Sequence, residues 1–265
     1  MILRKTPEEI EAIAAAGRIL ARCHGILRAK ARPGVTTGEL DEAAERFIRS
    51  QDAEPAFKGY RGFPGSICAS PNSMVVHGIP GSYRLHRGDI LSVDIGVVLD
   101  GWVADAAITI PVGAVTPIAR RLLTSTRAAL FDAVEQCRAG NRLGNVSHAV
   151  QRRVEEDGFS VIRSLVGHGI GREMHEDPQI PNVGEPGTGP ELAEGMVLAI
   201  EPMVNAGGPD VRMGSDGWAV FSEDGSLAAH FEHTVAITAE GPRILTPWHL
   251  DERTGVVKPA EAFLA

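Results

Sequence analysis

Leu91-Ser-Val-Asp94-Ile-Gly96-Val-Val-Leu-Asp100-Gly101-Trp-Val-Ala-Asp105-Ala-Ala-Ile-Thr-Ile110 decides the fold of this chain. Two β-rich runs meet across Asp100-Gly101, and Asp-Gly between apolar runs is the strongest short hairpin signal, because a tight primed turn needs positive φ. The runs are therefore expected as antiparallel neighbours. Each carries a carboxylate among apolar residues, Asp94 and Asp105, and a carboxylate buried without a partner is strongly unfavourable. No Lys or Arg lies between Arg87 and Arg120 to neutralise them, which points to a metal ion. A strict two-residue turn does not set Asp94 opposite Asp105. A bulge or a diagonal pairing is expected, with Gly96 as the residue that absorbs it.

Upstream of the hairpin, Thr6-Pro7-Glu8-Glu9 predicts a helix start, with Thr6 as N-cap and Glu9 closing a capping box. The helix runs until Arg32-Pro33-Gly34. A second helix fits Thr37 to Ser50, with Leu40, Ala43, Ala44, Phe47 and Ile48 on one face. Residues 54–81, rich in Gly, Pro and aromatics, read as loop and short strand, where function often sits.

Downstream the pattern begins again. Thr116-Pro117 repeats Thr6-Pro7, Gly140 and Gly144 repeat Gly34 and Gly38, and Val146, Ala149, Val150 and Val154 follow the spacing of Leu40, Ala43, Ala44 and Ile48. Gly88-Asp-Ile-Leu-Ser-Val-Asp94 reads against Gly195-Met-Val-Leu-Ala-Ile-Glu201, and Asp105-Ala-Ala-Ile-Thr-Ile110 against Glu232-His-Thr-Val-Ala-Ile237. A diverged repeat of helix, helix and hairpin implies a pseudo-two-fold α+β fold, in which one curved antiparallel sheet is backed by helices. With no Ser/Gly-rich linker, residues 1–265 are expected as one domain, with halves at about 6–112 and 116–245.

That symmetry converges Asp94, Asp105, Glu201 and Glu232. Four clustered acids without a cation would have pKa values pushed far upward, and two divalent ions relieve this while holding a nucleophilic water between them. His168, flanked by glycines in Gly167-His-Gly-Ile-Gly171, offers a further ligand on the open side. Oxygen-dominated donors with one imidazole suit Mn, Fe, Co or Zn. Gly169-Ile-Gly171 lacks the spacing of a dinucleotide fingerprint. His77 and His175 lie beside Gly-rich turns, where an imidazole either meets substrate or is simply solvated. Tyr60, Phe63, Cys68, Met174 and Trp218 either pack or line an apolar pocket.

The chain's 265 residues and 43% hydrophobic content allow a sizeable core. A formal charge of −8 argues against general nucleic-acid binding. Three scattered cysteines suit reduced thiols and a cytoplasmic location. The N-terminus turns acidic before any secretory apolar segment forms, and no stretch approaches the ~20 apolar residues of a membrane span.

With these residues placed, the chain resembles the bacterial-type, type I methionine aminopeptidases, from about Thr6 to Thr246. The motifs are Phe57-Lys-Gly-Tyr60-Arg-Gly-Phe63-Pro, Ser66-Ile-Cys68-Ala-Ser-Pro-Asn72, His77-Gly-Ile-Pro80, Gly167-His168-Gly-Ile-Gly-Arg-Glu-Met-His175-Glu, Ile200-Glu201-Pro-Met-Val and Phe231-Glu232-His233-Thr234. The resemblance implies the pita-bread fold, with Asp94, Asp105, His168, Glu201 and Glu232 as ligands of two divalent ions and Asp105 and Glu232 bridging. It implies that His77 binds the scissile amide region, that His175 helps stabilise the tetrahedral intermediate, and that Glu201 handles the proton of the attacking water. Tyr60, Phe63, Cys68, Met174 and Trp218 fall where the family forms its methionine pocket, Met174 replacing a commoner Phe. His230 stands where the family usually has Gln. The implied substrates are nascent polypeptide N-termini with a small second residue, with the ribosome as the place of encounter and the enzyme a monomer.

Two other readings compete. An aminopeptidase P or prolidase resembles this fold and ligand set but usually carries a large further N-terminal domain, whereas here the residues before Asp94 are already used by the repeat. A metal-free pita-bread interaction module would have lost or replaced ligands that are all present here.

Overall fold

A computed structural model describes residues 1–250; the part of the single-domain expectation that covers 251–265 lies outside the described residues. Helix α1 spans Pro7–Lys30 and begins with the expected capping box between Thr6 and Glu9. Helix α2 spans Thr37–Arg49, and its N-cap is Thr36, which closes a second capping box with Glu39. Caps of this kind are worth about 1 kcal/mol each. Helices α3 (Pro117–Glu135, capped by Thr116) and α4 (Leu143–Glu156) follow the hairpin. Leu40, Ala43, Ala44 and Ile48 are buried, as are Val146, Ala149, Val150 and Val154, while Phe47 is half-buried.

The hairpin pairs Ile90–Leu99 with Trp102–Pro111 in unbroken register from Ile90↔Pro111 to Leu99↔Trp102. Asp100 and Gly101 both have positive φ, 51° and 74°, as a two-residue primed turn requires. No bulge is present, which corrects that half of the expectation. Asp105 faces Gly96, and Asp94 faces Ala107. Because side chains alternate with period two, Asp94 shares a face with Gly96 and so becomes the diagonal neighbour of Asp105. The pleat alone brings the two carboxylates together.

In the first sheet, Ile90–Leu99 pairs along its other edge with Glu54–Pro55 and Cys68–Pro71. The second sheet is five-stranded, in the order Gly241–Ile244, His233–Thr238, Val197–Ile200, Val166–Gly169, Glu176–Pro181. The two sheets meet at Asp105, within Trp102–Pro111, and Glu232, just before His233–Thr238. The Asp105 N–H donates to Thr234 Oγ1 at 3.0 Å, the Thr234 hydroxyl donates to the Asp105 carbonyl at 2.7 Å, and the Glu232 N–H donates to the Ala107 carbonyl at 2.9 Å.

Equivalent hydrogen bonds recur in the two segments. Gly34 N–H donates to Leu85 O at 2.8 Å and Gly140 N–H to Leu192 O at 2.9 Å; Gly38 N–H donates to Gly81 O at 2.8 Å and Gly144 N–H to Thr188 O at 3.0 Å. The helices cover the back of the sheets, where buried His24 of α1 donates from Nε2 to the Ala106 carbonyl at 2.9 Å. Cys23, Cys68 and Cys137 are buried and form no disulfide.

Candidate metal centre and active site

Strands and the residues that flank them bring the five expected ligands to the sheet junction. Asp94 and Asp105 lie within their strands, and His168 lies in Val166–Gly169. Glu201 stands one residue past Val197–Ile200, and Glu232 one residue before His233–Thr238. Donor atoms of Asp105, His168 and Glu232 all fall within 4.8 Å of one another. His168 Nε2 is 3.6 Å from Glu201 Oε1. The His168 Nδ1–H donates to the Gly169 carbonyl at 2.9 Å, which leaves the Nε2 lone pair facing the acids, the tautomer a metal ligand needs. The flanking glycines permit this close approach: a Cβ on Gly167 would lie 2.4 Å from the Ala199 carbonyl oxygen, and one on Gly169 would lie 2.1 Å from that of Asp177.

The residues fit a divalent cation. Burial, and then the charges of Glu232 and Asp94, push Asp105 well above the carboxylate range. Burial also raises Glu232, with Glu201 and Asp94 adding to it, and Glu201, with Asp94 and Asp105 adding. Asp94 is raised chiefly by burial. Asp94 Oδ1, Asp105 Oδ1 and Glu232 Oε1 are buried with no hydrogen-bond partner. Crowded acceptors that lack donors are what hard or borderline cations take.

Beside this cluster opens a cavity of about 180 Å³. Phe57, Phe63, Cys68 and Met174 are its buried apolar wall. The pocket residues expected from the motifs all line it, as do His77 and His175. Cys68 is paired with Asp94 in register, so the wall continues directly from the strand that carries Asp94. Trp218 closes one side edge-on to Phe63, their ring centres 5.1 Å apart. Trp218 reaches the site because Val220–Ser222 pairs with Met74–Val76, just before His77. Phe57 and Arg61 line the cavity too, although sequence reasoning gave them no role; their place on the same glycine-rich loop was the available signal. Gly96 also has a different task from the one expected. A Cβ there would come within 2.8 Å of Phe57 and 2.9 Å of Met174, so the glycine keeps room for the apolar wall.

The sequence profile of metallopeptidase family M24 matches residues 11–239. Methionine aminopeptidase 1 of Bacillus subtilis is 52% identical over 246 residues, which is 93% of this chain and 99% of the relative. The chain belongs to the methionine aminopeptidases of family M24. The crystal structure of methionine aminopeptidase from Thermotoga maritima matches with a TM-score of 0.92 at 46% identity, covering 93% of this chain and 99% of that one. A prolidase from Pyrococcus furiosus shares the pita-bread fold at a TM-score of 0.75 and 27% identity, and this chain covers 65% of its length.

Within this member of the family, His175 is set by its neighbours. Its Nδ1 is hydrogen-bonded to the Tyr60 hydroxyl at 2.8 Å, and its ring lies 4.3 Å from that of His168. Loss of solvent, then the charges of His168, Arg61 and His77, lower its pKa to about 4. Desolvation also lowers His77, a non-glycine residue held at φ 59°, and such strain gathers at functional sites. Buried His230 presents Nε2 at 3.8 Å from Oε2 of both Glu201 and Glu232, with neither ring nitrogen hydrogen-bonded, so the imidazole lies directly against two of the expected ligands.

The loop carrying Met174 and His175 is fastened at both ends. Lys5 Nζ meets Glu176 Oε2 at 2.5 Å in a buried ion pair, and Glu176 Oε1 accepts from the N–H groups of Arg172 at 2.9 Å and Glu173 at 3.3 Å. The Arg172 guanidinium lies 3.8 Å from the centre of the Trp102 ring and donates to the Asp100 and Gly101 carbonyls at 3.2 Å. Replacing Lys5 by Met leaves Glu176 buried without its cation, at a cost of about 3–5 kcal/mol. The expected outcome is a Tm lowered by about 10 °C and a reduced kcat, both partly restored by Lys5→Arg. Differential scanning calorimetry beside steady-state kinetics checks this. A wild-type Tm and kcat in Lys5→Met would show that the loop does not depend on the pair.

Proposed function

We propose that this protein is a methionyl aminopeptidase that releases the initiator methionine from nascent proteins and peptides whose second residue is small. The observation that supports it most is the joining of a five-donor acidic cluster to an apolar cavity of about 180 Å³. Asp94, Asp105, His168, Glu201 and Glu232 would hold two divalent ions, with Asp105 and Glu232 shared, and Mn, Fe, Co and Zn all suit the donors. Such ions, when bound, lower the pKa of water and polarise a carbonyl.

The chain's own groups do the rest. Phe57, Phe63, Cys68, Met174 and Trp218 take the thioether side chain, the flexible Met174 adapting its fit. The free α-amine sits at the acidic edge of the cavity. Glu201, whose side chain is 13% exposed where those of Glu232 and His230 are almost sealed, accepts the proton of the attacking water and returns it to the leaving amine. His77 and His175, neutral near pH 7, offer N–H groups to the scissile amide and to the developing oxyanion.

Beyond the apolar wall, the second residue must pass between the His77 and His175 loops, which leaves room for small side chains. Met-Ala-Ser is therefore expected to exceed Met-Ile-Ser in kcat/KM by on the order of 100-fold. Comparable values would remove the size filter, and release from Xaa-Pro peptides with none from Met-Ala-Ser would favour the prolidase reading. Among the described residues no helix is long and apolar enough to cross a membrane. We place the activity in the cytoplasm, in a monomer acting on chains that emerge from the ribosome. The recurring glycine hydrogen bonds support reading residues 6–112 and 116–245 as diverged copies.

A further inference from the structure

We propose that Arg61 is a specificity-determining residue that favours substrates bearing a carboxylate beyond the second position; this rests on the aminopeptidase reading above. The cavity has a buried apolar wall and an exposed rim that includes Arg61, His77 and His175. A peptide whose methionine fills the wall must leave across that rim. Among the described residues Arg61 is the only Lys or Arg lining the cavity, in a protein whose formal charge is −8.

Several arginines of the described residues are held by acids: Arg49 lies 2.9 Å from Glu45, Arg138 lies 3.0 Å from Glu135 and Arg153 lies 2.8 Å from Asp132. Among the described residues Arg61 forms no such ion pair. It is also held in place. Its φ is 49°, between Gly59 at 86° and Gly62 at 88°, and the loop is closed by bonds from Gly59 N–H to Phe63 O at 2.8 Å and from Phe63 N–H to Tyr60 O at 2.9 Å. The guanidinium lies 5.3 Å from the centre of the Tyr60 ring, and Tyr60 is bonded to His175. An unpaired guanidinium on a closed loop at the cavity rim, two contacts from His175 and open to solvent, is a fork for a carboxylate. Because methionine and the small second residue occupy the wall and the histidine passage, the residue that meets it is the third or later.

The test uses the metal-loaded full-length enzyme with Met-Ala-Asp, Met-Ala-Asn and Met-Ala-Lys peptides as C-terminal amides, and with Met-Ala-Ser as both free acid and amide. Wild type should prefer Asp over Asn by about threefold in kcat/KM, mostly through KM, the scale of an exposed ion pair. The ratio should approach one in about 1 M salt, where the Debye length is ~3 Å. Arg61→Gln should level the ratio, and Arg61→Glu should turn it toward the Lys peptide. A preference for the free acid of Met-Ala-Ser alone would assign the carboxylate to short peptide ends; one for Asp amides assigns it to side chains. In wild type at low salt, an Asp/Asn ratio of one together with equal rates for the free acid and the amide of Met-Ala-Ser overturns the proposal, as does a carboxylate preference that survives in Arg61→Gln. Release from none of the peptides overturns the aminopeptidase reading and this inference with it, whereas release without preference overturns Arg61 alone.

Discussion

Glu201→Gln is expected to keep the fold and its metal and to lose methionine release by about a hundred- to ten-thousandfold, the range of a general base in position. Glu201 is placed for this by its backbone. It stands just past the end of Val197–Ile200, and the Asn182 side-chain N–H donates to its carbonyl at 3.0 Å, which holds the turn. Gln preserves volume and one oxygen donor while removing the group that can carry a proton. Metal content by mass spectrometry and kcat on Met-Ala-Ser would be measured on the same preparation. A fully loaded variant turning over at the wild-type rate would remove Glu201 from the proton-transfer role.

Chelation of divalent ions is expected to abolish turnover and leave a protein whose stability falls with rising pH. The sign follows from the acids. Burial and mutual repulsion raise Asp105, Glu201 and Glu232 well above their ordinary values in the fold. The folded state therefore holds protons that the unfolded chain has already released, and stability declines as pH rises from the ordinary carboxylate range through the folded values. Buried histidines oppose this at lower pH. Burial lowers His24 to about 4 and His230 to about 3, so their contribution is lost as pH falls below their ordinary 6.5. Above pH 7 the acids act alone among these groups. The Tm of the metal-free protein should drop by about 5 °C between pH 7 and pH 9, while the loaded protein changes little, because cations replace the protons. Calorimetry of both forms across that range decides the matter. A flat metal-free profile would mean that the acids ionise freely without metal, and activity surviving complete chelation would exclude a metal-dependent reaction.

Much of the site was legible because its signals are local. The Asp100-Gly101 turn specifies the hairpin register within a few residues, and register with period-two alternation then places Asp94 diagonal to Asp105. The expected bulge arose from requiring the carboxylates to lie directly opposite, when a diagonal on one face is close enough for them to interact. The second pair, Glu201 and Glu232, was found through the repeat, since each acid keeps its distance from a preceding glycine or its place at a strand start. Those features are carried by neighbours in the chain and survive without the fold.

What only the tertiary structure decided lies between residues far apart. The Lys5–Glu176 pair joins positions 171 residues apart, and neither residue carries a local mark of its partner. Trp218 meets Phe63 because a short strand after it pairs with the strand before His77. His230 lies against Glu201 and Glu232 because its strand, Ala228–His230, pairs with Met203–Asn205, two residues past Glu201. Arg61 shows its lack of a carboxylate partner among the described residues only once those acids have a place. Spacing along the chain encodes turns, caps and faces through short-range sterics, whereas the pairing of distant charges and rings depends on which sheet edges meet, and that is settled by burial of the whole core.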